Sequence, residues 1–126
     1  MTNLGQNALF LDDNEIRGQQ FMGAFPAAKW VMTAGEAIEE IKTGRYVTLF
    51  LDHDLGGEAY VDSRREDCGM EVVRWLESHR PPNLELVVHS HNNVAASQMV
   101  IALKKIYTDV HYLPFGRGEW WSKHLR

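Results

Sequence analysis

Short, largely apolar runs alternate along this chain with stretches of helical character, and this alternation is the strongest constraint on its fold. The runs are short enough for buried strands and show no alternation of apolar and polar residues, which is typical of strands covered on both faces. Strands that alternate with helices indicate βαβ units and a parallel sheet. We therefore predict an α/β domain with a five-stranded parallel sheet, its strands at residues 8–11, 29–32, 46–51, 84–88 and 110–113.

Helices are predicted between consecutive strands. The first covers residues 14–25, where Ile16, Phe21, Met22 and Phe25 form an approximate apolar stripe. A proline follows this stretch and cannot continue a helix. The other three helices are predicted at residues 34–42, 69–79 and 94–107.

The composition excludes several classes of protein. Among the 126 residues, 44% are hydrophobic and 24% are charged, which is close to globular averages and unlike disordered chains, collagen or coiled coils. The net charge of −4 argues against a general nucleic-acid-binding surface, which needs a basic field, but it allows a local phosphate site. No apolar stretch approaches the ~20 residues of a membrane span, so no membrane partner is expected.

The cysteine content and the length bear on compartment and domain count. Cys68 is the single cysteine and cannot form an internal disulfide, which favours a reducing compartment and a cytoplasmic protein.

Trp120 and Trp121 lie near the C-terminus, and three alternative roles are open for them. They pack on the core, they stack on a substrate, or they contact a second copy or a protein partner. The length predicts one domain, with residues 1–126 in all, 8–115 as its core and 116–126 as a C-terminal extension.

Polar side chains follow the first, third and fourth predicted strands. Because the carboxyl ends of parallel strands meet at one edge, we expect these groups to lie together in the crevice where open α/β sheets bind ligands. Carboxylates this close repel one another and need a cation or a shared proton. Oxygen ligands suit Mg²⁺ or Mn²⁺, so a divalent metal site is predicted. The residues concerned are Asp12 and Asp13, then Asp52, His53 and Asp54, then His89, Ser90, His91 and Asn92.

Several of these residues have a purely structural alternative. Asp12 or Asp13 can cap the helix that follows, which is a common role of aspartate. His53 can be a packed or surface histidine, because alternate positions point to opposite faces. His89 ends an apolar strand and is as consistent with a hydrogen-bonded core histidine as with a ligand.

An asparagine and three arginines complete the polar candidates. Asn92 or Asn93 can cap the fourth helix. Arg64 and Arg65 lie in a charged loop after the third strand, where they are either solvated or bound to a phosphate. Arg17, in the first predicted helix, is a third arginine that can clamp a phosphate.

The order of the elements and the acidic strand ends resemble the receiver domain of two-component response regulators. In that family, acidic residues after the first strand and an aspartate after the third hold Mg²⁺, and the latter aspartate accepts a phosphoryl group. The resemblance implies these roles for Asp12, Asp13 and Asp52, and the receiver hydroxyl role for Ser90. It also implies the receiver-like, flavodoxin-like architecture, a three-layer sandwich around the parallel sheet.

A closer resemblance is to a divergent branch, the cyclic-phosphate-processing receiver-like domains. It covers residues 8–106 in order, which makes it far more specific than any one motif. The matching segments are 9–13 (LFLDD) with Arg17, Trp30 to Thr33 followed by 35–38 (GEAI), 51–56 (LDHDLG), Gly69 through Trp75 and Leu76, and 89–92 (HSHN).

Three positions depart from these patterns. Receivers carry a lysine before the proline that ends the fifth strand, whereas this chain has Leu113 before Pro114. Receivers favour a small residue directly after the hydroxyl, whereas His91 follows Ser90 here. Both changes argue against ordinary phosphorelay signalling, because the lysine is the charged partner of the phosphoryl group. Arg17 lies two residues further from the acidic pair than in the divergent branch.

The resulting prediction is metal-dependent processing or recognition of a phosphate ester, namely a cyclic phosphate of a nucleotide or an RNA end. Two alternatives remain, a non-catalytic module that sequesters a ligand or binds a protein, and a stand-alone phospho-accepting receiver. The predicted metal ligands are Asp12, Asp13, Asp52 and Asp54, the predicted catalytic residues are Asp52, His89, Ser90 and His91, and the predicted substrate contacts are Arg17, His53, Arg64, Arg65 and Asn92.

Each predicted catalytic side chain has a chemical reason. A metal held by the carboxylates neutralises phosphoryl oxygens and activates a water. His89 or His91 can donate a proton to the leaving oxygen. Ser90 can hydrogen-bond a phosphoryl oxygen, or act as a nucleophile with an imidazole as its base.

Overall fold

Strands and helices alternate along the chain in a computed structural model that describes residues 7–55, 67–90 and 92–113. The elements are β1 (Ala8–Leu11), α1 (Glu15–Ala24), β2 (Lys29–Val31), α2 (Ala34–Ile41), β3 (Thr48–Leu51), α3 (Gly69–His79), β4 (Glu85–Val88), α4 (Asn93–Lys104) and β5 (Val110–Tyr112). The predicted extension, residues 116–126, lies outside the described part of the chain. Among the described residues, no helix combines the length and apolar character needed to cross a membrane.

The described strands form one sheet in the order β2-β1-β3-β4-β5. All four pairings are parallel, and the central register places Phe10 opposite Phe50 and Phe50 opposite Val87. This is the flavodoxin-like strand order, in which ligands bind near the switch point between β1 and β3. The predicted five-stranded parallel sheet is confirmed, and the carboxyl ends of β1, β3 and β4 are adjacent at one edge.

Apolar side chains cover both faces of the sheet, which produces the predicted three layers. On one face, α2, α3 and α4 bury Ala37, Val73 and Met99. On the other face, α1 packs through Phe21, whose ring stacks on that of Phe10 with 4.2 Å between centroids. Every residue of β1 and β3 is buried, which explains why their sequences show no period of two.

The structure corrects several predicted details. β3 begins at Thr48, later than predicted. α4 ends at Lys104 because the chain then tightens into a shorter turn, in which Ile106 N–H donates to the carbonyl of Leu103 at 3.0 Å. Ile16 was predicted on the apolar stripe of the first helix but is 68% exposed. The stripe fails there because α1 contacts the sheet chiefly through its later residues.

Trp30 of β2 lies directly against Gly18 of α1. A β-carbon on Gly18 would come within 2.1 Å of the indole ring, so α1 can approach β2 this closely only because residue 18 has no side chain. The same indole N–H donates a hydrogen bond to the carbonyl of Asp12 at 2.8 Å. This packing therefore links α1 and β2 to the residue that follows β1.

Replacement of Gly18 by Ala is expected to destabilise the domain by about 1–3 kcal/mol, because the Trp30 ring or α1 must move to admit a methyl group. This cost exceeds the ~1 kcal/mol that alanine gains in helix propensity. Gly23→Ala on the same helix is the matched control, since nothing lies within 4 Å of the added carbon, and a gain of up to ~1 kcal/mol is expected. Urea denaturation measures both variants, and an equal gain in the two would contradict the close contact.

Candidate functional site

Three aspartates come together where β1 and β3 end. Asp12 and Asp13 follow β1, Asp52 follows β3, and one carboxylate oxygen of each lies within 4.8 Å of the others. Asp12 and Asp52 are buried, whereas Asp13 is half-buried. We call these three residues the acidic cluster. Its oxygens are the ligands that Mg²⁺ and Mn²⁺ prefer, so the donor set fits a divalent cation of this kind.

A guanidinium group already neutralises part of the acidic cluster. Arg17 binds Asp12 in bidentate fashion, with Nε donating to Oδ2 at 2.7 Å and Nη2 donating to Oδ1 at 3.0 Å. Nη2 also lies 3.8 Å from Asp52 Oδ2. The side chain of Asp12 is fully buried and that of Arg17 is 25% exposed, so Arg17 covers Asp12 from the solvent side. The predicted phosphate clamp is thus bound to carboxylates in this structure.

Asp12 is held by backbone groups as well as by Arg17. Its Oδ1 accepts a hydrogen bond from the backbone N–H of Asn14 at 2.9 Å. Its backbone carbonyl accepts the hydrogen bond from the indole N–H of Trp30. Asn14 is the residue that caps α1, because its side-chain oxygen accepts from the N–H of Arg17 at 2.9 Å. The alternative of an aspartate cap is therefore wrong, and Asp12 is left as a member of the acidic cluster.

The surroundings of Asp52 disfavour its negative charge. Burial raises the pKa of the Asp52 carboxyl well above its usual range, the Asp12 carboxylate raises it further, and Arg17 partly opposes both effects. The N–H of His53 donates to Asp52 Oδ1 at 2.8 Å and fixes that oxygen. A carboxyl in this position favours either a proton or a nearby cation.

Helix α3 begins directly against the backbone that carries Asp52. The N–H of Gly69 donates to the carbonyl of His53 at 2.8 Å. A β-carbon on Gly69 would lie 1.9 Å from the carbonyl oxygen of Asp52. Glycine is therefore required at this position, and the contact sets the placement of Asp52 relative to α3.

His53 and Asp54 form a separate group beside the acidic cluster. Asp54 Oδ1 lies 2.9 Å from His53 Nδ1 and accepts a hydrogen bond from Asn92 Nδ2 at 3.3 Å. Within the described ranges, Asp54 is not among the carboxylates that lie within 4.8 Å of one another at this edge. Its Oδ1 is bound to His53 and Asn92, and its role as a metal ligand stays a prediction. His53 is 0% exposed, which agrees with the alternative of a packed histidine, and its contact with a substrate stays a prediction.

The residues after β4 form the start of helix α4. Asn92 Oδ1 accepts from the N–H of Ala95 at 3.2 Å, which confirms the alternative that Asn92 caps this helix. Because its amide nitrogen bonds to Asp54, the amide of Asn92 is engaged within the fold rather than with a substrate. Ser90 is 1% exposed, and its hydroxyl accepts from Asn92 N–H at 3.1 Å. A hydroxyl that accepts one bond can still donate one, and the contact of Ser90 with a phosphoryl oxygen stays a prediction.

His89 lies behind the acidic cluster, inside the core. It is 1% exposed and its ring stacks on Phe10 at 4.9 Å between centroids. Nε2 lies 3.0 Å from the carbonyl of Leu11, and Nδ1 lies 3.7 Å from Asp12 Oδ2. Burial lowers the pKa of His89 to about 4, although the Asp12 carboxylate acts in the opposite direction. The burial and the contact with the Leu11 carbonyl agree with the alternative of a hydrogen-bonded core histidine. The role of His89 as a proton donor stays a prediction.

The free energy of unfolding is expected to decrease as the pH is lowered, because His89 binds a proton more readily in the unfolded chain. Its pKa is about 4 in the folded chain and about 6.5 when unfolded. The unfolded chain therefore binds the proton first, and up to about 3 kcal/mol present above pH ~6.5 is lost as the pH falls to ~4. His89→Phe keeps an aromatic ring but does not titrate. The free energy of unfolding against pH should be steeper for the wild type over this window, and parallel curves would contradict the prediction.

Some predicted residues lie outside the described part of the chain. These are His91, Arg64 and Arg65, together with Trp120 and Trp121. Their roles stay predictions.

Three residues that shape the site were not among the sequence candidates. Trp30 and Gly69 hold the backbones of Asp12 and Asp52, as described above. The hydroxyl of Tyr112 lies 3.1 Å from the carbonyl of Ser90 and so ties β5 to the loop after β4. Trp30 and Gly69 both lie in the segments that resemble the divergent branch, but the sequence alone assigned neither of them a role at the site.

A second group of metal-ligating side chains lies at the opposite edge of the sheet. Glu85 begins β4, His111 lies in β5, and Asp109 precedes β5, with ligand atoms within 4.8 Å of one another. His111 pairs with Asp109, and the Thr48 hydroxyl donates to Glu85 at 3.0 Å. Because this group is remote from the strand ends that carry the acidic cluster, it serves as an internal reference for metal binding.

A family model matches most of this sequence. The model is that of the cyclic-phosphate processing receiver domain, and the match covers residues 7–105. The range contains Asp12, Asp13, Arg17 and Asp52. A search of curated proteins finds no match for this chain.

Solved receiver domains have the same fold. The response regulator TrrA from Thermotoga maritima, solved with Mg²⁺ and BeF, is 12% identical over 94% of this chain and 92% of that chain, with a TM-score of 0.68. A Francisella response regulator receiver domain is 18% identical over 86% of this chain and 84% of that chain, with a TM-score of 0.61. A Burkholderia pseudomallei response regulator with a phosphorylated aspartic acid and a calcium ion is 18% identical over 88% of this chain and 61% of that chain, with a TM-score of 0.63. At these identities the similarity concerns the fold.

Proposed function

Because this chain belongs to the family of cyclic-phosphate processing receiver domains, we propose that it binds and processes a phosphate ester at the carboxyl edge of its sheet. The substrate class is a cyclic phosphate of a nucleotide or of an RNA end. The observation that carries the proposal is the acidic cluster, in which Asp12, Asp13 and Asp52 offer oxygens within 4.8 Å of one another. Arg17, at 2.7 Å from Asp12, adds a positive charge beside them.

The acidic cluster would hold Mg²⁺ or Mn²⁺. When bound, such an ion neutralises phosphoryl oxygens and lowers the pKa of a water. Asp13 is the half-buried member and lies on the open side, whereas Asp12 and Asp52 are fixed by backbone hydrogen bonds.

The remaining residues bind and orient the phosphate. Arg17 presents a planar fork that suits two phosphoryl oxygens. Ser90 can donate its hydroxyl proton to a third. His91, Arg64 and Arg65 complete the proposal as a proton donor and two phosphate contacts, on the basis of their positions in the sequence.

A phosphorus NMR time course tests this proposal. The chain with Mg²⁺ or Mn²⁺ is mixed with 2′,3′-cyclic, 3′,5′-cyclic and oligonucleotide cyclic phosphates, beside Asp52→Asn. New phosphomonoester signals that the variant does not produce are the expected result. Shifted or broadened signals without conversion would replace the proposal with a non-catalytic binding module. Unchanged signals across the panel would remove cyclic phosphates as substrates.

A second candidate function is a phospho-accepting receiver, favoured by the position of Asp52 at the end of β3. A Burkholderia pseudomallei relative in fold carries a phosphorylated aspartic acid. Leu113 weighs against this function, because its side chain packs with the apolar cluster of Phe10 and Phe50 and offers no charge to a phosphoryl group. Stable addition of one phosphoryl group to Asp52 from acetyl phosphate and Mg²⁺, read by mass spectrometry, would favour the receiver.

The cellular context is also proposed. We infer a cytoplasmic protein whose partner is a small phosphate-containing ligand or an RNA end, supported by the single Cys68 and the net charge of −4. Trp120 and Trp121 are proposed to contact a second copy or a protein partner. Sedimentation of the full chain and of its Trp120→Ala and Trp121→Ala double variant measures whether these tryptophans join two copies.

A further inference from the structure

Arg17 occupies both carboxylate oxygens of Asp12. Nε and Nη2 reach Oδ2 and Oδ1 at 2.7 and 3.0 Å, and Oδ1 also accepts from Asn14 N–H at 2.9 Å. The carboxylate itself is fully buried. Asp12 therefore has no exposed oxygen to offer a metal ion while Arg17 stays in place.

The charges of the acidic cluster allow two arrangements. Asp12, Asp13 and Asp52 carry three negative charges when ionised, and Arg17 carries one positive charge. A divalent cation offsets two of the three negative charges, one more than Arg17 does, but it requires oxygens that Arg17 now holds. A cation and the guanidinium therefore compete for Asp12. A guanidinium released in this way needs another anion, since a partly buried unpaired charge is costly.

We propose that Arg17 exchanges partners: it binds Asp12 in the free domain and binds phosphoryl oxygens once a divalent cation occupies the acidic cluster. This inference rests on the proposed phosphate site. Arg17 is in the first turn of α1 and its side chain is 25% exposed, so rotation about its side-chain bonds can carry the guanidinium outwards without moving the helix. The same planar fork that matches a carboxylate also matches a phosphate.

The exchange couples the two ligands. A cation that binds first releases the guanidinium, which makes phosphate binding more favourable. By thermodynamic linkage, phosphate must strengthen cation binding by the same factor. Couplings of this kind are typically about 5- to 150-fold, so a factor of at least about 5 is expected for Mg²⁺ and inorganic phosphate.

Calorimetric titration measures this coupling without any turnover. Mg²⁺ is titrated alone and with inorganic phosphate, and phosphate is titrated alone and with Mg²⁺. The protein carries Asp109→Asn, which removes one of the two carboxylates of the second metal-ligating group. In this background the expected result is mutual tightening by at least about fivefold, and independent binding of the two ligands would overturn the proposal.

Arg17→Gln separates the exchange from a purely structural role. Without the competing guanidinium, Mg²⁺ alone is expected to bind more tightly. Phosphate binding with Mg²⁺ present weakens, and the coupling falls to what the cation's own attraction for phosphate supplies. Arg17→Lys keeps the charge but loses the bidentate fork, so it should retain competition with Mg²⁺ and lose most of the phosphate affinity. Weaker Mg²⁺ binding in Arg17→Gln would show that Arg17 supports the cation site and would overturn the exchange.

The wild-type protein provides a readout that depends on no variant. The Nε–H NMR signal of Arg17 should shift when Mg²⁺ is added and shift again when phosphate follows. An Nε–H signal that Mg²⁺ leaves unchanged, at concentrations that saturate the site, would overturn the proposal. If coupling is found but no cyclic phosphate is converted, the exchange stands and the catalytic part of the proposed function fails.

Discussion

Replacement of Asp52 by Asn is expected to lower turnover of a phosphate ester by at least about 100-fold and to weaken Mn²⁺ binding. Asp52 contributes one of three carboxylates to the acidic cluster, and an amide supplies neither its charge nor its affinity for a hard cation. The measurements are initial rates by phosphorus NMR and Mn²⁺ affinity by electron paramagnetic resonance. Turnover within about tenfold of the wild type would remove Asp52 from the mechanism.

The same variant should fold normally. Burial and the neighbouring Asp12 raise the pKa of Asp52. The ionised carboxylate therefore destabilises the folded chain, and a neutral amide removes this destabilisation. The side-chain oxygen of Asn can still accept from His53 N–H, which now donates at 2.8 Å. The free energy of unfolding is therefore expected to be unchanged or higher. Asp109→Asn at the opposite edge is the matched control and should change neither stability nor turnover by much.

Replacement of Gly69 by Ala is expected to give the largest loss of stability, at least about 2 kcal/mol. The added carbon would lie 1.9 Å from the carbonyl oxygen of Asp52 and 2.8 Å from the α-carbon of His53. Both neighbours are backbone atoms, so no side chain can rotate away, and either α3 or the end of β3 must move. Because Asp52 moves with that backbone, Mn²⁺ affinity should fall as well.

Gly35→Ala is the matched control for Gly69→Ala. Gly35 also lies in the first turn of a helix, but nothing is found within 4 Å of an added carbon. Its replacement should be neutral or stabilise the domain by up to ~1 kcal/mol. Urea denaturation midpoints compare the two variants. A Gly69→Ala protein within about 0.5 kcal/mol of the wild type would contradict the close contact of α3 with Asp52.

Much of the fold could be predicted because buried strands and helix ends have local signals. The runs at β1 and β3 show no alternation of apolar and polar residues, which follows from burial on both faces. Parallel pairing then brings Asp12 and Asp52 to one edge whatever the details of the loops. The acidic cluster was therefore accessible from the sequence. Ile16 shows where prediction from the helical period fails. Its position fits the apolar stripe of α1, but α1 contacts the sheet through other residues and Ile16 is exposed.

The contacts within the site could not be predicted because they depend on side-chain direction and on close approach. His89 and Asp52 both end strands, yet His89 turns into the core against Phe10 whereas Asp52 faces the cluster. Arg17 was expected to bind a phosphate, but the fold places its Nε 2.7 Å from Asp12 Oδ2. The ion pair of Arg17 with Asp12 requires α1 to lie close to β2. In the sequence, only Gly18 and Trp30 indicate this close approach.

Paramagnetic broadening by Mn²⁺ tests most directly whether the acidic cluster holds a metal beside a phosphate ester. Mn²⁺ is added in small amounts to the labelled chain with a 2′,3′-cyclic nucleotide, and backbone amide and ligand phosphorus signals are followed together. We expect selective broadening of the amides of Asp12, Asp13 and Asp52 and of the ligand phosphorus. Broadening confined to Glu85, Asp109 and His111, or ligand phosphorus signals that stay sharp, would contradict the account.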